Sequence, residues 1–153
     1  MPMPRHVSSK TFGHEVGLSV CFRQWRATHS HCQFLHGYAL AVHLEFEAER
    51  LDDRGWVVDF GDLGTVRQWL KDQFDHRTVV AEDDPLLPSL QMMEEKGLCQ
   101  LTVLQAVGCE AFAAHIAHYV QLWLRDHANY RGRVRLAACK VSEHGANHAE
   151  IRP

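Results

Sequence analysis

The 153-residue sequence lacks any apolar run that approaches the roughly 20 residues of a membrane-spanning helix. It also lacks an excess of basic residues, because 16 Lys and Arg stand against 19 Asp and Glu for a formal net charge of -3. Without a basic face to neutralise phosphates, we expect no binding to nucleic acid. The first residues lack the apolar segment of a secretory signal, so we expect a cytoplasmic protein.

Cysteine is sparse and shows no paired spacing. Five cysteines are scattered along the chain, and an odd, unpaired set favours reduced thiols over a disulfide framework. Four of them fit the description of small buried hydrophobic residues, whereas Cys32 alone has histidine neighbours. The set is Cys21, Cys32, Cys99, Cys109 and Cys139.

Hydrophobic periodicity predicts one domain over residues 1–153 with an α+β fold. We expect an antiparallel four-stranded sheet with two helices packed on one face, in the order ββααββ. The predicted strands cover residues 16–27, 35–47, 134–141 and 148–152. The first predicted helix begins at Asp59 or Asp62 and ends near Asp75-His76, and the second covers Cys109 to Asp126. A shorter helix is predicted near 89–96 and an extended run at 101–107. Because such a sheet leaves two edges open, we predict a homo-oligomer in which edges of neighbouring subunits pair.

A histidine-rich segment connects the first two predicted strands. His29, His31 and His36 lie within eight residues of one another, and Cys32 lies among them. Imidazole is the commonest zinc ligand, and a catalytic zinc typically takes three protein ligands with one open position. A thiol beside such a metal readily becomes a base or nucleophile. The alternative interpretation is three solvent-facing histidines in a polar loop.

Two further groups have the residue types of an active site. Asp75-His76 ends the first predicted helix, where His76 could take a proton from Cys32 while Asp75 orients the imidazole. Asp-His pairs also simply end helices. Glu143 follows a predicted strand and suits either a salt bridge or recognition of a guanidine-like ring edge.

The ordered set of motifs resembles the 6-pyruvoyl-tetrahydropterin synthase and 6-carboxytetrahydropterin synthase family of tunnelling-fold proteins. The resemblance covers nearly the whole chain from residue 16 onward. Its motifs are Cys32-x-x-Leu35-His36-Gly37, Trp56-Val-Val-Asp59-Phe60-Gly-Asp-Leu63, Asp75-His76, Gly108-Cys-Glu110 and Val141-Ser-Glu143.

The resemblance implies an enzyme that acts on 7,8-dihydroneopterin triphosphate. It implies a zinc ion with His36 among its ligands, Cys32 as general base, and Asp75 with His76 as partners of that thiol. It further implies Glu143 as the pterin anchor and Glu110 as a pocket residue. The expected product is 6-carboxytetrahydropterin for 7-deazaguanine and queuosine synthesis, with 6-pyruvoyl-tetrahydropterin as the alternative. The family assembles as trimers stacked into hexamers, with active sites between subunits.

Two departures from the family pattern concern the metal. Tyr38 stands where the family has the second histidine of His-Gly-His, and the loop before Cys32 is short. The ligand that the family takes from the end of the first strand could be His29 or His31, and the spacing from Trp25 selects His29. One hypothesis is that His29, His31 and His36 form the ligand set. The others are that Tyr38 coordinates, that His14 or His144 contributes, or that the metal is lost.

Three hypotheses about function remain in view of these departures. The first is an active synthase, the second is a diverged homologue that binds a pterin without turnover, and the third is a histidine-rich metal-binding protein. Arg23 and Arg26 suit either a triphosphate tail or an exposed charged strand face.

Overall fold

The computed structural model describes residues 1–153 and contains a seven-stranded mixed sheet with three α-helices. The strands are β1 (His6–Phe12), β2 (Leu18–Phe22), β3 (His36–Ala48), β4 (Arg77–Ala81), β5 (Leu101–Leu104), β6 (Arg135–Ser142) and β7 (His148–Ile151). The helices are α1 (Gly64–Phe74), α2 (Leu87–Glu95) and α3 (Cys109–Asp126). None of the helices combines the length and apolarity needed to cross a membrane.

The thirteen residues of β3 organise the sheet. β1 and β2 lie end to end along one side of β3, and β6 lies along its other side, all antiparallel to it. β7 continues the sheet beyond β6, while β4 and β5 extend it beyond β2 through parallel pairs. The strand order is therefore β5-β4-β2-β3-β6-β7, with β1 added beside β3.

The expected four-stranded antiparallel sheet with two helices is too small. The antiparallel part of the sheet has four strand positions. β1 and β2 together occupy one of them, and β3, β6 and β7 occupy the others. The parallel strands β4 and β5 and the helix α2 between them enlarge it. Alternation of polar and apolar residues does not predict β4, because Val79, Val80 and Ala81 are all buried. A strand that is buried on both faces has a continuous apolar sequence.

The core lies between the helices and one face of the sheet. Along β3 every second residue from Leu40 to Ala48 is buried, as the period of two requires. From α3, Phe112 packs edge-on against Phe22 of β2 and Phe74 of α1, with ring centroids 5.0 and 5.3 Å apart. This one side chain therefore joins two helices to the sheet.

A hydrogen-bonded tie fixes the start of the first helix. The Asp59 carboxylate accepts a hydrogen bond from the Gly61 N–H at 2.9 Å, which caps the short 3-10 turn Phe60–Leu63 before α1. The buried Tyr130 hydroxyl donates to Asp62 and accepts from the Asp59 backbone N–H. Burial and the Asp62 carboxylate raise the pKa of Tyr130 to about 12, so its hydroxyl stays a donor.

The substitution Phe112→Ala should lower the free energy of unfolding by about 3–5 kcal/mol, because it leaves a cavity where three elements meet. Urea denaturation followed by circular dichroism measures the change. The matched control is Gln121→Ala on the exposed face of the same helix, which should alter stability by less than about 0.5 kcal/mol. Equal effects of the two changes would contradict the assigned packing of α3.

Candidate active site

A pocket of about 290 Å³ opens where β2 ends, beside the first turn of α3. Residues from the loop between β2 and β3 form one wall, and the start of α3 and the residue after β6 form the other. No lysine or arginine is among its lining residues. They are Phe22, Gln24, Ala27, His29, Ser30, Cys32, His36, Val107, Gly108, Cys109, Glu110 and Glu143.

Local hydrogen bonds hold the backbone of Cys32 in the wall of this pocket. The Ser30 hydroxyl accepts from the Cys32 N–H at 3.1 Å, which caps the 3-10 turn His31–Gln33. The Cys32 carbonyl accepts from the Gln24 N–H at 2.8 Å, so the two ends of the loop are joined. The thiol of Cys32 is exposed, unlike those of Cys109 and Cys139.

A buried ion pair anchors the loop to the segment after β4. Arg23 donates to both oxygens of Asp84, at 2.9 and 2.6 Å, and also to the Gln33 carbonyl at 3.2 Å. Asp84 is only 4% exposed, and its hydrogen bonds to Arg23 hold the pKa of its carboxyl below the ordinary value. Arg23 thus connects Asp84 to the Gln33 carbonyl. Because Gln33 follows Cys32 directly, this connection fixes the backbone beside the thiol.

A second, exposed contact lies next to the first. Arg26 pairs with Asp83 at 2.8 Å and stacks over the Trp25 ring at 4.2 Å, while the Trp25 indole donates to the same carboxylate. Arg23 and Arg26 therefore both have carboxylate partners within the chain. Neither guanidinium is left unpaired to bind a triphosphate tail. Neither is a solvated charge without a partner on an exposed strand face.

The acidic wall of the pocket combines Glu143, Glu110 and Cys109. Burial, together with the charges of the two carboxylates, raises the pKa of the Cys109 thiol to about 12. Cys109 thus stays protonated beside Glu143. No cation pairs with either carboxylate, so the pocket presents hydrogen-bond acceptors to a ligand rich in N–H groups. The sequence indicated Cys109 only as a buried hydrophobic residue, although its place after Gly108 at the start of α3 was a usable signal.

The structure does not gather the three histidines of the predicted zinc site. His29 and His36 line the pocket together with Cys32, whereas His31 is exposed and its ring lies 6.3 Å from that of Phe34. His36 Nδ1 lies 2.6 Å from the Phe34 carbonyl, which leaves Nε2 free. No group of three or more His, Cys, Asp or Glu side chains is close enough to hold a metal ion. The donor set does not fit a three-histidine zinc centre.

The first-strand position differs from the predicted one. β2 ends at Phe22 rather than at residue 27, and His29 lies in the loop beyond it. Phe22 is the cross-strand partner of His36, and the two ring centroids are 5.4 Å apart. Tyr38 lies on the same face, 5.3 Å from His36. Burial, then the charges of Glu143 and neighbouring thiols, raise the pKa of its phenol.

Asp75 and His76 form a pair, but not beside Cys32 of the same chain. His76 Nδ1 lies 2.7 Å from the Asp75 carboxylate, and the side chain is 86% exposed. The His76 N–H donates to the carbonyl of Ser19 near the start of β2, whereas Cys32 lies beyond the end of that strand. Four residues separate Ser19 from Gln24, a span of about 16 Å where the chain is extended. His76 also has a φ of 57°, a left-handed conformation uncommon outside glycine.

Most of the chain matches the profile of a known protein family. The profile described as 6-pyruvoyl tetrahydropterin synthase matches residues 12–153. The chain belongs to this family.

Curated relatives and solved structures agree with that assignment. A Rickettsia felis protein named 6-carboxy-5,6,7,8-tetrahydropterin synthase is 37% identical over 54 residues, which are 35% of this chain and 39% of that protein. The match thus spans well under half of this relative. An Aquifex aeolicus protein of the same name is 23% identical over 123 residues, 79% of this chain and 75% of its own.

Two solved structures share the fold. An uncharacterised protein from Wolinella succinogenes superposes with a TM-score of 0.75 at 18% identity, covering 97% of both chains. A 6-pyruvoyl tetrahydropterin synthase from Plasmodium vivax gives 0.68 at 12% identity, covering 97% of this chain and 98% of that one. At such identities the likeness establishes the fold of the family.

The substitution Asp84→Asn should destabilise the protein by about 3 kcal/mol, since it leaves Arg23 without its buried counter-charge. The pKa of Asp84 is lowered in the folded state, so its contribution is present above the unfolded pKa of about 4 and disappears as the pH falls through the folded value. The stability difference from the unaltered protein should therefore narrow below about pH 4. Chemical denaturation at several pH values measures it.

The control for this prediction is Asp83→Asn, which breaks only the exposed pair with Arg26. Its effect should be clearly smaller at every pH, because solvent screens exposed pairs. Similar losses from both changes would contradict the anchoring role of the buried pair.

Proposed function

We propose that this protein is a pterin synthase that acts on 7,8-dihydroneopterin triphosphate and forms 6-carboxytetrahydropterin. The supporting observation is a pocket that combines Cys32, Glu110 and Glu143 in a chain of this family. Curated relatives from two genera have the 6-carboxy name. The 6-pyruvoyl product is the alternative, and the pathway served would be 7-deazaguanine and queuosine synthesis.

The pocket chemistry suits the flat, N–H-rich edge of a pterin. In this proposal the Glu143 carboxylate accepts hydrogen bonds from the 2-amino and N3 positions of the ring, in the bidentate geometry that carboxylates offer. Glu110 lies on the same wall and adds negative charge at the ring edge. Cys32 then faces the side chain at C6, where its thiolate removes a proton as general base and triphosphate leaves. Addition of one water and cleavage of the side chain leave one carbon as the C6 carboxylate and release the other two as acetaldehyde, which balances the reaction.

Asp75 and His76 would act on the Cys32 of a second copy of the chain. Their distance from Cys32 within one chain and the exposure of His76 support this division. The imidazole would take the thiol proton, and Asp75 would hold the ring through Nδ1, which is the base-plus-orienter arrangement. A homo-oligomer, proposed to be a hexamer, would bring the two parts together.

Zinc stays a prediction from the resemblance. It would supply Lewis-acid polarisation of the substrate's side-chain oxygens. The residues of this chain do not form a three-histidine site for it, and none of the steps above uses it.

Tag-free protein incubated with 7,8-dihydroneopterin triphosphate should release triphosphate and a C6-carboxylated pterin, identified by mass spectrometry. The change Cys32→Ser should reduce turnover at least about a hundredfold, the usual contribution of general-base catalysis. Cys99→Ser, at a half-buried cysteine outside the pocket, should leave turnover intact. A 6-pyruvoyl product would favour the alternative, and binding without any product would favour a non-catalytic pterin-binding homologue.

Mixed oligomers test the division of the site. Inactive Cys32→Ala and inactive His76→Ala, unfolded together and refolded at equal amounts, should regain about a quarter of full activity, since random assembly pairs two intact halves in one site of four. Steady-state turnover measures the recovery.

The matched control mixes Cys32→Ala with Glu143→Gln. Both residues line the pocket of one chain, so every mixed site keeps one defect and no activity should return. Recovery in the control, or none in the first mixture, would refute an active site shared between subunits.

A further inference from the structure

Three aromatic rings lie where β2 pairs with the start of β3, at the spacing of metal ligands, and two of them, Phe22 and His36, line the pocket. The ring centroids of Phe22, His36 and Tyr38 are 5.3, 5.4 and 6.0 Å apart in the three pairs. Imidazoles bound to one tetrahedral zinc have centroids about 5 Å apart, because each nitrogen lies about 2 Å from the metal. The three side chains, named here the ring cluster, therefore have the positions of three ligands.

Only one member of the ring cluster has the chemistry of a zinc ligand. Phe22 has no lone pair to donate, and Tyr38 offers a phenol where zinc sites use imidazole, thiolate or carboxylate. His36 keeps Nε2 free because its Nδ1 faces the Phe34 carbonyl. One imidazole falls short of the three protein ligands of a catalytic zinc.

The other histidines do not complete the set. His29 lines the pocket but lies in the loop beyond β2, and His31 lies off the pocket against Phe34. His144 is near Tyr38, yet both of its ring nitrogens face groups in its own turn, at Ala146 and Asn147. His14 Nδ1 faces the Ala39 carbonyl.

We propose that this chain holds no zinc at the ring cluster, and that Tyr38 and His36 instead present hydrogen-bonding groups to the ligand. The first half stands on geometry alone, whereas the role of Tyr38 rests on the proposed function. The Tyr38 hydroxyl and His36 Nε2 are the polar atoms of the cluster, next to the Cys32 loop and Glu143. The His36 Nδ1–H donates to the Phe34 carbonyl, so Nε2 accepts a hydrogen bond from a hydroxyl of a polyol side chain. The Tyr38 hydroxyl can donate to an oxygen of the same side chain.

Zinc content tests the first half. Tag-free protein is saturated with zinc chloride, desalted and measured by inductively coupled plasma mass spectrometry. The unaltered protein should retain far less than one zinc per chain, whereas Phe22→His combined with Tyr38→His should retain about one. Adding His36→Ala to that double change should remove it.

Zinc at about one per chain in the unaltered protein, lost on His36→Ala, would overturn the proposal and restore a histidine-bound metal. This measurement needs no variant at the buried position 22, so it decides the question even if Phe22→His prevents folding. It is also independent of turnover, so an inactive, zinc-free protein would refute the proposed function and leave this inference intact.

Pterin binding tests the second half. Calorimetric titration with 7,8-dihydroneopterin, which has no triphosphate to lose, should show roughly fivefold weaker binding by Tyr38→Phe, the effect of one neutral hydrogen bond. The control Tyr119→Phe removes a hydroxyl from a ring stacked on Trp69 outside the pocket and should bind normally. Equal affinity of Tyr38→Phe and the unaltered protein would exclude the hydroxyl contact. No binding by the unaltered protein would refute both that contact and the proposed function.

Discussion

The side-chain alternation of β3 determines both the core and the candidate site. Leu40, Val42, Leu44 and Phe46 face the helices and are fully buried. Because the period of a strand is two, His36 and Tyr38 belong to the same row and face the same side. His36 lines the pocket beside the first turn of α3, and Tyr38 packs against the edge of the core, so the row that begins as pocket surface continues as core. The register with β2, which sets Phe22 opposite His36, is therefore as important for the site as for packing, since a slip of one residue would reverse every side chain.

The charges around the loop explain the character of the pocket. Arg23 and Arg26 precede Cys32, but both form ion pairs with the aspartates after β4, and neither lines the pocket. Their guanidinium groups organise the loop and leave the carboxylates of Glu110 and Glu143 without a basic neighbour in the pocket. A buried pair such as Arg23–Asp84 contributes little net stability relative to well-packed apolar residues, because desolvation offsets most of the attraction, although removal of one partner alone is costly. Its consequence is geometric, since Arg23 also binds the Gln33 carbonyl next to Cys32.

Sequence patterns predicted the long periodic elements well. The predicted bounds of α3 match the structure, and those of β3 differ by one residue at each end. β1 was missed because an exposed strand such as His6–Phe12 has few apolar residues to alternate. β4 was missed because parallel, doubly buried strands show no alternation. The strand predicted over residues 16–27 was extended five residues too far. The spacing from Trp25 then selected His29 as the ligand at its end, and Phe22 was not considered.

Two features of the site depend on contacts between residues distant in sequence. One is the pairing of Arg23 and Arg26 with aspartates, and the other is the separation of the Asp75–His76 pair from Cys32. Periodicity describes only local contacts, so neither was accessible from the chain alone. The pair is nevertheless held in place: the His76 backbone binds Ser19, its ring meets Asp75, and its φ is positive. A non-glycine residue in that conformation costs about 1 kcal/mol or more, and such strain persists where the surroundings impose it, often at functional sites. This ordered, exposed imidazole has a carboxylate neighbour but no thiol in its own chain. The proposed active site shared between subunits would supply that thiol and so account for the arrangement of the pair.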